Sequence, residues 1–145
     1  MSKEAMDTDE VVDGLRRSLS LQQRSVVPFT TASASLFGLE FQSVGEKLWE
    51  WAELELADAR LLVEKIVALG GEPSVEVAEP RWAGDPSAAV EILIEAESEA
   101  IESLQDIIPA TGDDGRSEAL EHTLEHLIMR KQSQVDFLLR ARRAA

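Results

Sequence analysis

Six polar side chains fall at or beside the centres of apolar stripes, where helical periodicity would place a core: Gln22, Glu55, Asp58, Glu97, Lys131 and Gln134. Buried carboxyl groups exchange protons, ligate metal ions or neutralise cations, because an isolated charge away from water is too costly to keep. Glu55 with Asp58, and Lys131 with Gln134, have the i,i+3 spacing that turns both members of a pair towards one neighbouring helix. His122 and His126 have the i,i+4 spacing that chelates a transition metal, with Glu118 and Glu125 close in sequence. They lie on the side of their helix opposite Lys131 and read as solvated surface. The chain has no cysteine, which excludes disulfides, thiol chemistry and cysteine-held zinc. Any metal site must use carboxylates or histidine.

Turn residues divide the chain into four long segments that would position these groups. The breaks fall near Gly38, at Gly70-Gly71-Glu72-Pro73, before Pro86, and from Pro109 to Gly115. Apolar residues recur at helical rather than alternating spacing in all four segments. The pattern predicts helices A over 8–37, B over 43–70, C over 86–108 and D over 116–142, an all-α four-helix bundle. Pro28, inside helix A, should remove a hydrogen bond and kink it. The A–B and C–D connections are short and join antiparallel neighbours. The B–C connection has roughly 15 residues and can span up to ~50 Å, against ~42 Å for the helix beside it. B and C can therefore run parallel, joined by one long crossover.

On a helical wheel, Gln22 is flanked within about 60° by Val11, Leu15, Leu19, Val26, Phe29 and Leu36. Glu55 points directly away from the polar strip Glu46, Glu50, Glu53, Arg60 and Glu64, with Asp58 beside it. Glu97 is central to Val90, Leu93, Ile94, Ile101 and Leu104, and Lys131 to Leu120, Leu124, Leu127 and Leu138, with Gln134 one turn on. The six positions fall at similar heights along their helices. Buried polar groups must find partners, so the expectation is a single polar layer crossing the core.

A bundle core with one carboxylate from A, Glu-x-x-His from B, one Glu from C and Glu-x-x-His from D is the di-iron arrangement of ferritin-like proteins. This sequence resembles the bacterioferritin and Dps-like branch of that superfamily over nearly its whole length. The run Glu55-Leu-Ala-Asp-Ala-Arg through Gly70-Gly-Glu-Pro73 is similar to the branch's Glu-x-x-His-Ala run ending in a Gly-x-Pro turn. Met129-Arg-Lys-Gln-Ser-Gln-Val-Asp-Phe-Leu138 is similar to its acidic run ending in His-Ile/Val-Asp-aromatic-Leu. The resemblance places the helix A ligand on Gln22, the B pair on Glu55 and Asp58, the C ligand on Glu97, and the D pair on Lys131 and Gln134.

Only Glu55 and Glu97 keep the residue type that the resemblance implies. Both histidines are replaced, one carboxylate is an amide, and an ammonium stands at a ligand position. The expectation is therefore a degenerate di-iron site with no ferroxidase centre of the usual kind, and no catalytic or cofactor-binding residue carries over. The bacterioferritin haem would need Met where this chain has Leu56. The short fifth helix of the cage-forming members that the resemblance implies is not expected after D, so a 24-subunit cage is not expected. No cofactor is expected; the alternative is one divalent ion, iron by the resemblance, held by Glu55, Asp58 and Glu97, with iron storage or stress protection as the parent role.

The 145 residues are expected to form one domain, with 1–7 disordered. No stretch approaches the ~20 apolar residues of a membrane span and the start lacks a signal-peptide centre, so the reading is a cytoplasmic protein. A formal charge of −14 repels phosphate backbones and anionic membranes, leaving neither as a partner. Arg140, Arg142 and Arg143 suit the last turn of a helix. Helix B carries a second apolar face, Trp49, Ala52, Leu56, Ala59, Val63 and Val67, beside its core face. The preferred use of that face is a homodimer or larger assembly through helices A and B, with a structural or interaction role. The alternative is that the crossover segment Val75 to Trp82 covers it.

Overall fold

The computed structural model describes residues 5–36 and 38–144. Four helices correspond to the predicted A to D: α1 (Thr8–Ser35), α2 (Gln42–Ala68), α3 (Pro86–Ile107) and α4 (Gly115–Ala144). Single 3₁₀ turns, Leu39–Phe41 and Ile108–Thr111, lie in the two short connections. Of the segment expected to be disordered, residues 1–4 lie outside the described residues. Met6 packs against the core, and Asp7 caps α1 by accepting from the Glu10 amide at 3.2 Å.

Each boundary follows from local chemistry. Asp85 caps α3, accepting from the Ala88 amide at 3.0 Å, and Pro86 begins the helix, where its missing N–H costs nothing. Asp114 accepts from the Ser117 amide at 2.8 Å and starts α4. The second helix stops at Ala68, earlier than the predicted 70, because Gly70 takes φ 82° and the Gly70 and Gly71 amides turn back to the Val67 and Ile66 carbonyls. α1 runs on through Pro28 to Ser35, and Pro28 is buried.

Contacts fix the topology. Gln22 of α1 meets Glu55 of α2, Ser18 of α1 meets Ser103 of α3, Glu55 of α2 meets Gln134 of α4, and Arg142 of α4 meets Glu91 of α3. A second contact in each pair runs the opposite way along its partner: Phe29 with Trp51, Arg24 with Glu99, Arg116 with the Ala68 carbonyl and Lys131 with Glu97. Every adjacent pair is therefore antiparallel, and α2 and α3, on the diagonal, run parallel as the long crossover requires. At the α1–α3 crossing the helices approach closely: a Cβ on Gly14 would lie 2.7 Å from Ile107, and Ser18 and Ser103 share a buried hydrogen bond of 2.8 Å.

The crossover lies along α1 and α3. Arg16 donates to the Glu72 carbonyl at 2.6 Å, the Ala78 amide to the Ser20 carbonyl at 3.3 Å, and Arg81 pairs with Glu95. It does not cover the second apolar face of α2, which was the alternative use for residues 75–82. Trp49, Leu56 and Val67 remain 52%, 62% and 57% exposed, while Ala52 and Ala59, expected on that face, are buried. Two apolar clusters fill the bundle. One is built around Phe29, Leu48, Trp51, Leu93 and Leu138, the other around Val11, Leu15, Leu62, Leu104 and Leu124. The polar layer lies between them.

Candidate functional site

Glu55, the hub of the layer, is fully buried and its carboxylate accepts from side chains of α1 and α4. Its Oε2 takes hydrogen bonds from Lys131 Nζ at 2.8 Å and from Gln22 Nε2 at 2.5 Å. Its Oε1 takes them from Gln134 Nε2 at 3.1 Å and from Arg130 at 3.2 Å. Gln22 also donates to the Glu55 main-chain carbonyl at 2.9 Å. Glu97 accepts from Gln134 at 3.0 Å and from Lys131 at 3.3 Å through one oxygen, while its other oxygen lies 3.5 Å from Lys131. Five of the six anticipated side chains, Gln22, Glu55, Glu97, Lys131 and Gln134, are thus brought into one fully buried cluster.

Asp58 sits at its rim. Its partner is Arg130, whose Nε donates to Oδ2 at 2.8 Å, and Lys131 does not reach it. Arg130 also donates to Gln134 Oε1. It closes the α2–α4 seam with its side chain 21% exposed, against 14% for Asp58. Arg130 did not figure among the sequence candidates. The available signal was charge: three carboxyl groups around one ammonium leave an excess that a second cation must offset.

The field of these groups sets their protonation. Burial raises Glu55, but the charges of Lys131 and Arg130 and the hydrogen bonds from Lys131 and Gln134 outweigh it and hold Glu55 below the ordinary carboxylate range. Burial, then the negative charge of Glu55, pushes Glu97 up to about 8, with Lys131 only partly opposing. Glu97 is therefore mostly a neutral acid at pH 7. Asp58 is raised by burial against the pull of Arg130. Burial opposes the charge on Lys131, but Glu97 and Glu55 more than restore it and raise its pKa. With one proton on Glu97, the layer holds two anions and two cations.

Two iron ions would need several carboxylates and imidazoles with free lone pairs. Here the Glu55 oxygens are already taken by four donors, an ammonium is fixed between Glu55 and Glu97, and no imidazole enters the layer. Among the described residues, no three His, Cys, Asp or Glu side chains converge to hold a metal ion. This donor set does not fit a di-iron pair. Its chemistry is that of a self-neutralised ion and amide network joining all four helices.

Comparison with known proteins bears on the same architecture. The sequence pattern of the ferritin-like domain matches residues 12–141. The chain belongs to the ferritin-like family. Membership places it among bundles of the di-iron and iron-storage type. The fold of this ferritin-like chain is similar to that of a ferritin-like diiron-carboxylate protein from Bacillus anthracis str. Ames, at 22% identity and a TM-score of 0.85, covering 94% of this chain and 98% of that one. It is similar to a dodecameric thioferritin, the bacterioferritin-related protein of Bacteroides fragilis, at 19% identity and a TM-score of 0.83, covering 94% and 86% of the two chains. Rhodobacter capsulatus bacterioferritin, with a metal-free dinuclear site and haem iron in its own structure, shares 18% identity and a TM-score of 0.79, covering 93% and 84%. At such identities the likeness speaks for the fold alone. No curated protein matches the chain in sequence. No helix among the described residues is long and apolar enough to cross a membrane.

Proposed function

We propose that this is a ferritin-like bundle protein without a competent ferroxidase centre, serving a structural or interaction role as a homodimer or larger assembly. The observation that carries the reading is Lys131, fully buried between Glu55 and Glu97 at a position where the resemblance implies a metal-ligating carboxylate. An ammonium there repels a divalent ion and occupies the lone pairs that such an ion would need.

Self-association is supported by the outer face of α1 and α2. Val27, Trp49, Leu56 and Val67 are about half exposed or more, and Leu56 also lines an open groove with Ala59, Leu61 and Val63 that the charged Glu53, Arg60 and Glu64 border. An apolar surface of this extent on an otherwise acidic chain marks an interaction face, and a second copy buries it symmetrically. The Bacteroides fragilis relative is dodecameric.

The test is oxidation of ferrous iron under air by the purified chain. The expected rate does not exceed that of a buffer control. Saturable oxidation of two irons per chain would overturn the reading of the layer, and a monomer by light scattering at micromolar concentration would overturn the assembly.

A further inference from the structure

Both histidines of the chain, His122 and His126, lie on α4 away from the layer, and a third potential donor shares their ridge. Met129 is 65% exposed, a conspicuous place for a thioether on so acidic a surface. We propose that His122, His126 and Met129 form a copper-ion site on the outer ridge of α4.

Helix geometry supports this grouping. Positions i, i+4 and i+7 fall within about 60° of one another, separated by rises of about 6 Å and about 4.5 Å. Long helical side chains lean towards the N-terminus, so the Met129 thioether is directed back over His126 and towards the gap between the imidazoles. The ridge is accessible, with His122 73% exposed and His126 exposed. It is also continuous, because α4 runs unbroken from Gly115 to Ala144.

The surroundings suit a cation. The Glu125 carboxylate lies 3.4 Å from His122 Nδ1, where it can orient the ring and leave Nε2 for the ion. The nearest basic side chains of the helix, Arg130 and Lys131, are committed to Asp58 and to the buried layer. Carboxylate and imidazole donors do not close a metal site among the described residues. Met129 adds a thioether, a donor that the expectation of carboxylate or histidine ligands left out, and imidazole with thioether suits copper better than the harder divalent ions. The inference is independent of what the buried layer does.

The test uses the full chain. Copper(I), kept reduced, is titrated against a chromogenic competing chelator, with copper(II) and zinc(II) followed by calorimetry. One copper per chain is expected, with zinc weaker than either copper state. His122→Ala should lower affinity for both copper states by roughly tenfold or more, whereas Met129→Leu should weaken copper(I) alone. Both positions are exposed, and circular dichroism confirms that the variants remain folded. Copper affinity unchanged by His122→Ala, or copper(I) affinity unchanged by Met129→Leu, would overturn the site.

Discussion

Replacing Glu97 by glutamine preserves the shape of a fully buried side chain and removes its ability to ionise. In the folded chain, burial and the neighbouring Glu55 raise this carboxyl from 4.5 to about 8. In the unfolded chain it ionises at its ordinary value, so folding between these limits takes up about one proton. A raised folded pKa contributes stability that is complete below the unfolded value and is lost as pH rises through the folded one. The loss amounts to roughly 1.4 kcal/mol per pH unit and about 5 kcal/mol over the whole interval. Glu55 works in the opposite sense. Held low by Lys131 and Arg130 against burial, it contributes stability that is lost as pH falls through its folded pKa.

Wild-type stability should therefore peak near pH 5 and decline towards pH 8, and Glu97→Gln should remove the decline. The amide can still accept from Gln134 and Lys131, which lie 3.0 and 3.3 Å from Glu97 Oε2. Asp58 and Arg130 are present in both proteins, so their contributions largely cancel in the comparison. Urea unfolding at pH 5, 6, 7 and 8, at one chain concentration to hold assembly constant, gives the slopes directly. The variant should be a few kcal/mol more stable than wild type at pH 8 and within about 1 kcal/mol of it at pH 5. Equal slopes in the two proteins, or a wild-type stability that rises from pH 5 to 8, would refute the neutral-acid reading of Glu97.

Lys131→Met leaves Glu55 buried with Arg130 as its only cation and should cost ~3–5 kcal/mol at pH 7 by thermal or urea unfolding. The cost should shrink at pH 5, because in the variant Glu55 loses the strongest charge that holds it low and burial lets it take a proton; equal losses at both pH values would place the two charges apart. Trp49→Glu, at a position 52% exposed, should keep the helical circular dichroism and shift light scattering towards smaller species. Gln22→Glu, Asp58→His, Lys131→Glu and Gln134→His combined, with Arg130→Gln to clear the seam, should gain divalent-metal binding measurable by calorimetry. A folded variant that binds no metal would separate the layer geometry from the family's ligand geometry.

Five side chains of the layer were legible because each lies at the centre of its own helix's apolar stripe, where orientation follows from periodicity alone. Arg130 was not. One residue from Lys131, it falls about 100° away on the wheel and reads as the flank of the stripe. Only its long, flexible side chain brings the guanidinium inward along the α2–α4 seam to Asp58 and Glu55. Asp58 was placed in the layer by direction alone, and its guanidinium partner at the rim was missed for the same reason, since a wheel gives direction but not reach. The second face of α2 was half legible. Leu56 and Trp49 stay exposed, but Ala52 and Ala59 are small enough to disappear into helix contacts that periodicity cannot resolve. The path of the crossover depends on Arg16, Ser20 and Glu95, partners drawn from two other helices. Its length therefore foretold the topology and left the groove unspecified.

Charge explains why the departures from the family's ligand set occur together. Four carboxylates and two neutral imidazoles around two divalent ions sum to zero, and a dry layer tolerates little else. In this chain Glu55 and Asp58 are offset by Lys131 and Arg130, and Glu97 reaches neutrality by holding a proton. Gln22 supplies a donor to Glu55 where a carboxylate would have changed the sum, and Gln134 donates to Glu55 without changing it. A single reversal cannot restore a metal site under this constraint. Lys131→Glu alone would set four carboxyl groups against Arg130, and the layer would take up protons or water before it assembled two ions. On the proposed function, resistance to metal would belong to the whole layer and should persist in every one-residue variant that still folds.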